Sequence, residues 1–266
     1  MFSIRRALEL FARGRIMKRY LLVHGRREPI IVSPDAQLKY ADFRAGSFDA
    51  DLVRIAEVLV QRDWTVWDIG ANVGSFSVAA ACSSKGGFVL AVEADPWLAE
   101  LLRRTVEASP AGKRNIHVLC VAASDRDGTD ELMVAGRGRA SNALRSAGGR
   151  SQMGGIRETR LVPTLKLDTV AIDTPVPRFL KIDVEGGEEA VIRGSMELIS
   201  RHLPIIYIEM EASQFDVVSN SLAPLGYESY DSYGRKTKET DAGNYFLIHR
   251  YDQEAKDLLE RLYISA

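Results

Sequence analysis

The stretch Trp64-Thr-Val-Trp-Asp68-Ile-Gly70-Ala-Asn72-Val-Gly74 decides the fold of this chain. Residues 64–69 form a short apolar run, as expected of a strand buried on both faces. The turn after them is punctuated by Gly70, Asn72 and Gly74, and an apolar helix is expected over about 75–83. Gly70 permits a tight turn and close approach of a ligand to the backbone. Asn72 is among the few non-glycine residues that tolerate positive φ, so it stands where a second glycine is common. Gly74 lets the helix pack closely on the sheet.

The same rhythm extends outward. Further apolar strands are expected over 88–93, 116–122, 179–184 and 205–210. Helices are expected over 96–108, with Pro96 in the first turn, and over 188–201. An earlier helix carries Leu52, Val53, Ile55, Ala56, Leu59 and Val60 at helical spacing and is expected to be capped by Asp49 or Ser47. Residues 227–230 and 245–249 read as a closing antiparallel pair. Apolar strands alternating with helices predict an α/β chain with a mostly parallel, doubly wound sheet.

Two segments depart from this pattern and set the expected domain plan, an N-terminal annex over 1–45 and one large domain over 46–266. The annex is rich in arginine, with Ile4, Leu8, Phe11 and Ile16 between the charges, which suggests a basic amphipathic helix. Its opposite face could be merely solvated or could meet an anionic membrane. Residues 30–32 and 38–40, separated by Ser33-Pro34-Asp35, read as a small hairpin. The second departure is residues 136–157, with six glycines and five arginines, which predicts a mobile loop, either a lid or a surface insertion.

Bulk properties narrow the class. A formal net charge of -1 over 266 residues gives no sign of nucleic-acid binding. The two cysteines, Cys82 and Cys120, sit in apolar stretches and suggest neither a disulfide framework nor a metal site. No apolar run approaches the roughly 18 residues that span a bilayer. A cytoplasmic location is therefore expected, with the oligomeric state open and a homo-oligomer compatible.

About 25 residues beyond the first turn, the second strand ends in Ala91-Val-Glu93-Ala-Asp95. An acid at that strand end can accept hydrogen bonds from two ribose hydroxyls. Glycine turn and strand-end acid together point to an adenosine ligand. A dinucleotide would bring a pyrophosphate to the turn, facing Asp68, where two like charges near 4 Å repel by about 4 kcal/mol at an effective dielectric of 20. S-adenosylmethionine brings a sulfonium and an ammonium instead, which Asp68 would favour. The second glycine of the dinucleotide fingerprint is also missing. A nicotinamide-dependent oxidoreductase is thus the weaker enzymatic reading, and a non-catalytic cofactor-binding partner subunit is the alternative of another class.

With these residues in view, the chain resembles the FkbM family of methyltransferases. The likeness runs through residues 66–77, Val92-Glu-Ala-Asp-Pro96, Ala122-Ala-Ser-Asp-Arg-Asp-Gly128, Leu167-Asp-Thr169 and Phe179-Leu-Lys-Ile-Asp-Val-Glu-Gly-Gly-Glu188. It resumes at Gly194 and the strand over 204–209. The resemblance implies a Rossmann-like class I methyltransferase fold, with a mostly parallel seven-stranded sheet and helices on both faces. It implies methyl transfer to a hydroxyl oxygen of a sugar or secondary metabolite. It also implies that Glu93 holds the ribose and that Ala123 and Ser124 lie by the adenine. The cofactor contacts expected are Asp68, Gly70, Asn72, Gly74, Phe76, Glu93, Ala94, Ala123, Ser124 and Asp183. Trp67 departs from the smaller aliphatic residue more usual there, which alters packing beneath the cradle.

The stretch over 179–186 alternates with period two, so Lys181, Asp183 and Glu185 are expected on one face at the strand's carboxyl end. Three charges on an otherwise apolar strand are costly unless paired or functional. They either form an ion pair or serve catalysis, with Asp183 orienting the donor or the acceptor hydroxyl, Glu185 second, and Lys181 tuning both by charge. Glu209 and Glu211 are expected at the same rim, as acceptor contacts or solvated acids, and no metal is predicted. Glu188 and Glu189 read as helix-opening acids. Of four scattered histidines, His249 alone suggests a base. The loop arginines suggest an anionic small-molecule or glycan acceptor.

Overall fold

A computed structural model describes residues 13–264, apart from 43, 45, 47, 110–114, 149–153 and 239–242. Strands β1 (Met17–Val23) and β2 (Arg26–Val32) form an antiparallel hairpin. It turns at His24 and Gly25, both at positive φ, the backbone that a two-residue hairpin turn requires. This corrects the expected hairpin of 30–32 with 38–40. Residues 30–32 pair backward with 17–19, and Leu38–Ala41 closes into a single 3-10 turn. The basic helix expected over 4–16 falls mainly outside the described residues. Its last residue, Ile16, directly precedes β1.

The central layer is built from β3 (Thr65–Ile69), β4 (Phe88–Val92), β5 (Ile116–Leu119), β10 (Phe179–Ile182), β11 (Ile205–Met210), β12 (Tyr227–Tyr230) and β13 (Gly243–His249). Their order is β12-β13-β11-β10-β3-β4-β5, and β13 alone runs against the rest. Winding goes from β3 outward to β4 and β5, then returns to β10 on the other side, so the switch point lies between β3 and β10. Ligands of such sheets bind beyond the carboxyl ends of the strands at this switch.

Helices cover both faces: α1 (Ala50–Leu59), α2 (Ser75–Ser83), α3 (Pro96–Ala108), α4 (Leu167–Val170), α5 (Glu188–Arg193), α6 (Met196–His202), α7 (Ala212–Leu222) and α8 (Gln253–Ile264). The period of two divides the sheet between two cores. Val66, Val89, Ala91, Phe179 and Ile205 pack on one side, with the hairpin residues Leu21, Val23, Ile30 and Val32 in the same cluster. Trp67, Ile69, Leu90, Leu180 and Ile206 pack on the other. Trp67 is fully buried there, and its indole N–H donates to the carbonyl of Pro175 at 2.9 Å, which satisfies the one polar atom of that ring.

Three expectations change in detail. The strand expected over 116–122 divides at Leu119. Residues Ala122–Ala123 form β6 of a second sheet with β9 (Ile156–Leu165), β7 (Gly128–Ala135) and β8 (Ala143–Leu144). The helix expected over 188–201 is broken at Gly194 and Ser195, and Gly194 passes so close to Ser124 that a Cβ on it would stand 2.0 Å from that residue's carbonyl oxygen. Of residues 136–157, those described include short regular elements, and 149–153 lie outside the described residues. Two 3-10 turns (Arg139–Ser141 and Arg145–Ala147) and β8 occupy 139–147, and β9 begins at Ile156.

Candidate active site

Beyond the carboxyl ends of β3, β4 and β10 lies a cavity of about 520 Å³. Gly70, at φ +76, forms its floor where the chain leaves β3. A Cβ there would stand 1.7 Å from the carbonyl oxygen of Asp183, so the turn and the end of β10 approach as only glycine allows. The amides of Gly70 and Ala71 donate to the carbonyl of Val92 at 2.9 and 3.0 Å, tying the turn to β4. Asn72 takes the positive φ expected of it, +54.

Glu93 stands directly after β4 on the cavity wall. Its carboxylate accepts from the amide of Asn72 at 2.7 Å and from the amide of Asp95 at 2.8 Å, which fixes the side chain against the turn. Burial pushes its pKa up to about 7. The two amide bonds oppose the rise, and Asp95 and Asp68 add to it.

Asp68 is completely buried and is not among the residues that line the cavity. In the parallel register Lys181 stands directly beside it, with Nζ 3.0 Å from Oδ1, and Ser77 donates its hydroxyl to Oδ2 at 2.6 Å. Lys181 Nζ also lies 3.6 Å from Asp183 and donates to the carbonyl of Gly70 at 3.3 Å. Burial alone would lower the Lys181 pKa, but the Asp68 and Asp183 carboxylates raise it above its ordinary value. Lys181 and Asp68 thus form an ion pair beneath the floor.

Of the remaining expected contacts, Ala94, Ala123, Asp183 and Glu185 line the cavity, whereas Gly74, Phe76 and Ser124 do not. Phe76 is buried against Phe179, their ring centroids 5.7 Å apart, and Gly74 opens α2 above Leu102. The Ser124 amide donates to Leu165, because β6 has joined the second sheet. The period-two alternation ends at Ile182. Glu185 lies beyond it at φ +52, so it does not continue the strand face of Lys181. Glu209 reaches the cavity, while Glu211 caps α7 in a reciprocal box with Gln214. Glu188 is buried and accepts from the amide of Gly186 at 3.1 Å. His249 is at the wrong end of the sheet. Antiparallel pairing sets Gly243 beside Met210 at the cavity rim and leaves His249 at the opposite edge, beside Tyr227. Among the described residues no group of histidines, cysteines and acids could hold a metal ion.

Several lining residues carried no signal in the sequence. Gln37 and Lys39 come from the segment after the hairpin, Asp49 and Asp51 from the start of α1, and Tyr207 and Asn244 from β11 and β13. Asp49 stands at the N-cap of α1 in a left-handed conformation but makes no cap bond. It is engaged instead by Lys39 at 2.5 Å, by the Tyr40 hydroxyl at 3.3 Å and by the Ser75 hydroxyl. Three arginines of 136–157 pair with carboxylates: Arg139 with Asp35 and Asp95, Arg145 with Glu131, and Arg157 with Asp35. Arg150 lies outside the described residues.

A family model described as the methyltransferase FkbM domain matches residues 68–229, more than half of the chain. No curated protein matches the chain in a sequence comparison. Among solved structures, the methyltransferase FkbM of Methylobacillus flagellatus aligns at 18% identity and a TM-score of 0.47, over 70% of this chain and 43% of its own. The chain thus spans less than half of that protein's length. An S-adenosylmethionine-dependent O-methyltransferase of Thermotoga maritima aligns at 15% identity and 0.45, over 89% of this chain and 77% of its own. An rRNA methylase of Streptococcus thermophilus aligns at 12% and 0.42, over 74% and 92%. The family match begins at Asp68 and contains the glycine turn, Glu93 and the end of β10. The chain belongs to the FkbM family of methyltransferases, whose methyl donor is S-adenosylmethionine.

Proposed function

We propose that this chain transfers a methyl group from S-adenosylmethionine to a hydroxyl oxygen of a sugar or other small-molecule acceptor. The observation that carries the reading is the charge of the lining. Asp49, Asp51, Glu93, Asp183, Glu185 and Glu209 border the cavity, and its two cationic side chains, Lys39 and Arg139, are each paired with carboxylates. That surface favours a sulfonium and an ammonium and repels both a pyrophosphate and the phosphate backbone of RNA.

The residues fit such a donor. Gly70 lines the cavity, and the Oδ1 atom of Asn72, also a lining residue, has no hydrogen-bond partner among the described residues. Glu93 would hold the ribose hydroxyls, and Ala94 and Ala123 would flank the base. When bound, the donor supplies an electrophilic methyl group. Positioning does much of the remaining work in such an in-line displacement. Asp183, whose amide donates to the Ile69 carbonyl at 3.0 Å just beyond β10, would orient the acceptor hydroxyl and take its proton. Lys181 holds a positive charge beside that carboxylate, and Glu185 borders the same space.

The test is transfer of a labelled methyl group to neutral polyols and sugars, to sugar phosphates, and to structured RNA. Label in the hydroxylated small molecules is the expected result. Label confined to RNA would overturn the reading.

A further inference from the structure

One side chain that the proposed reaction does not use joins three parts of the fold. Arg139 belongs to the segment after β7 and is buried, with a side chain only 7% exposed. Its Nη1 donates to Asp95 Oδ2 at 2.6 Å and its Nε donates to Asp35 Oδ2 at 3.2 Å, while the guanidinium lies 4.8 Å from the ring centre of Trp97. Asp95 is the residue whose amide holds Glu93, and its carboxylate also accepts from the Trp97 amide and from Asn142. Asp35 belongs to the turn after the hairpin, where Arg157 adds a second bond at 2.9 Å. Burial would raise the Asp35 pKa, but Arg157 and Arg139 hold its carboxyl below the ordinary range. Two residues beyond Asp35, Gln37 lines the cavity, and Lys39 follows.

We propose that Arg139 is a positioning residue that fixes the annex wall of the cavity, through Asp35, to the strand end that presents Glu93, through Asp95. Only a planar fork with several fixed donors makes both carboxylate contacts while lying over an aromatic ring. The backbone already ties this segment to the annex wall, the Arg139 and Ala140 amides donating to the Asp35 and Ala36 carbonyls at 2.9 and 3.2 Å, and the Arg139 side chain carries that link on to Asp95. Loss of the Asp35 leg loosens the wall, and loss of the Asp95 leg loosens the loop whose amide donates to Glu93. This inference rests on the proposed role of Glu93 toward the donor.

The experiment titrates S-adenosylhomocysteine into the full chain and into its Arg139→Gln, Arg139→Lys and Asp35→Asn variants, with thermal unfolding measured alongside. Wild-type binding comes first, because its failure counts against the donor reading and not against Arg139. Arg139→Gln is expected to weaken binding at least tenfold. Arg139→Lys should recover little of the loss, and Asp35→Asn, remote from Glu93, should weaken binding several-fold. If Arg139→Gln does not fold, Asp35→Asn carries the test.

A second readout separates positioning from mere support. The charged and titratable groups around Glu93 are Asp95, Asp68 on β3, and Cys120 after β5. Without Arg139 the cation left to Asp95 is Arg160, at 3.9 Å. Glu93 should then hold its proton to higher pH, and the pH at which binding weakens should move up by about half a unit or more in Arg139→Gln. Asp35→Asn with wild-type affinity, or Arg139→Gln with a lowered melting temperature but an unmoved pH profile and affinity, would overturn the proposal.

Discussion

Glu93 is a buried acid whose pKa lies near 7 rather than 4.5, and this sets a testable sign. Between those two values the folded chain binds more protons than the unfolded one, so the contribution of Glu93 to stability declines as pH rises through that window. The full shift corresponds to at most about 3 kcal/mol. Unfolding measured from pH 5 to pH 8 should therefore show a decline that Glu93→Gln removes, while the same variant loses affinity for S-adenosylhomocysteine by about tenfold or more. Identical pH slopes for both proteins would contradict this. Beneath the floor, Lys181→Met leaves Asp68 buried without its cation and should cost about 3–5 kcal/mol. Adding Asp68→Asn should restore most of that loss in a double-mutant cycle by denaturant unfolding. At the rim, Asp183→Asn is expected to lower turnover by roughly 100-fold or more while changing donor affinity far less. Near-normal turnover of that variant would remove Asp183 from catalysis.

At the scale of elements, the turn after β3 answers to one contact. Gly70→Ala must accept both a positive φ and a Cβ against the Asp183 carbonyl, so it should destabilise the fold by at least about 2 kcal/mol and weaken donor binding. Unchanged melting and affinity would show that the turn and β10 are not so closely joined. This turn, the strands around it and the closing antiparallel pair were legible in the sequence because period and glycine placement are local signals. What escaped reading depended on pairing across the chain. Residues 30–32 could have paired in either direction, and the His24-Gly25 turn decided for the earlier partner. The partners of Arg139 were not legible, because Asp35 and Asp95 lie 104 and 44 residues away in sequence. The partner of Asp68 was not legible, because nothing local announces that Lys181 will stand beside it. His249 read as a base because the direction of β13 is set only when it pairs with β11.

At the scale of the molecule, the carboxylate character inferred from Asp68 persists, carried by the acids that line the cavity. No helix among the described residues is long and apolar enough to cross a membrane. A ligand that binds only the folded chain stabilises it by about 2.7 kcal/mol at one hundred times its dissociation constant, so S-adenosylhomocysteine should raise the melting temperature in a saturable way. The central claim is that the acidic cavity selects an adenosine bearing a cation over one bearing a pyrophosphate. Calorimetric titration of the purified chain with S-adenosylmethionine and, separately, with NAD tests it most directly. The account predicts stoichiometric binding of the first and no measurable heat from the second; tighter binding of NAD would contradict it.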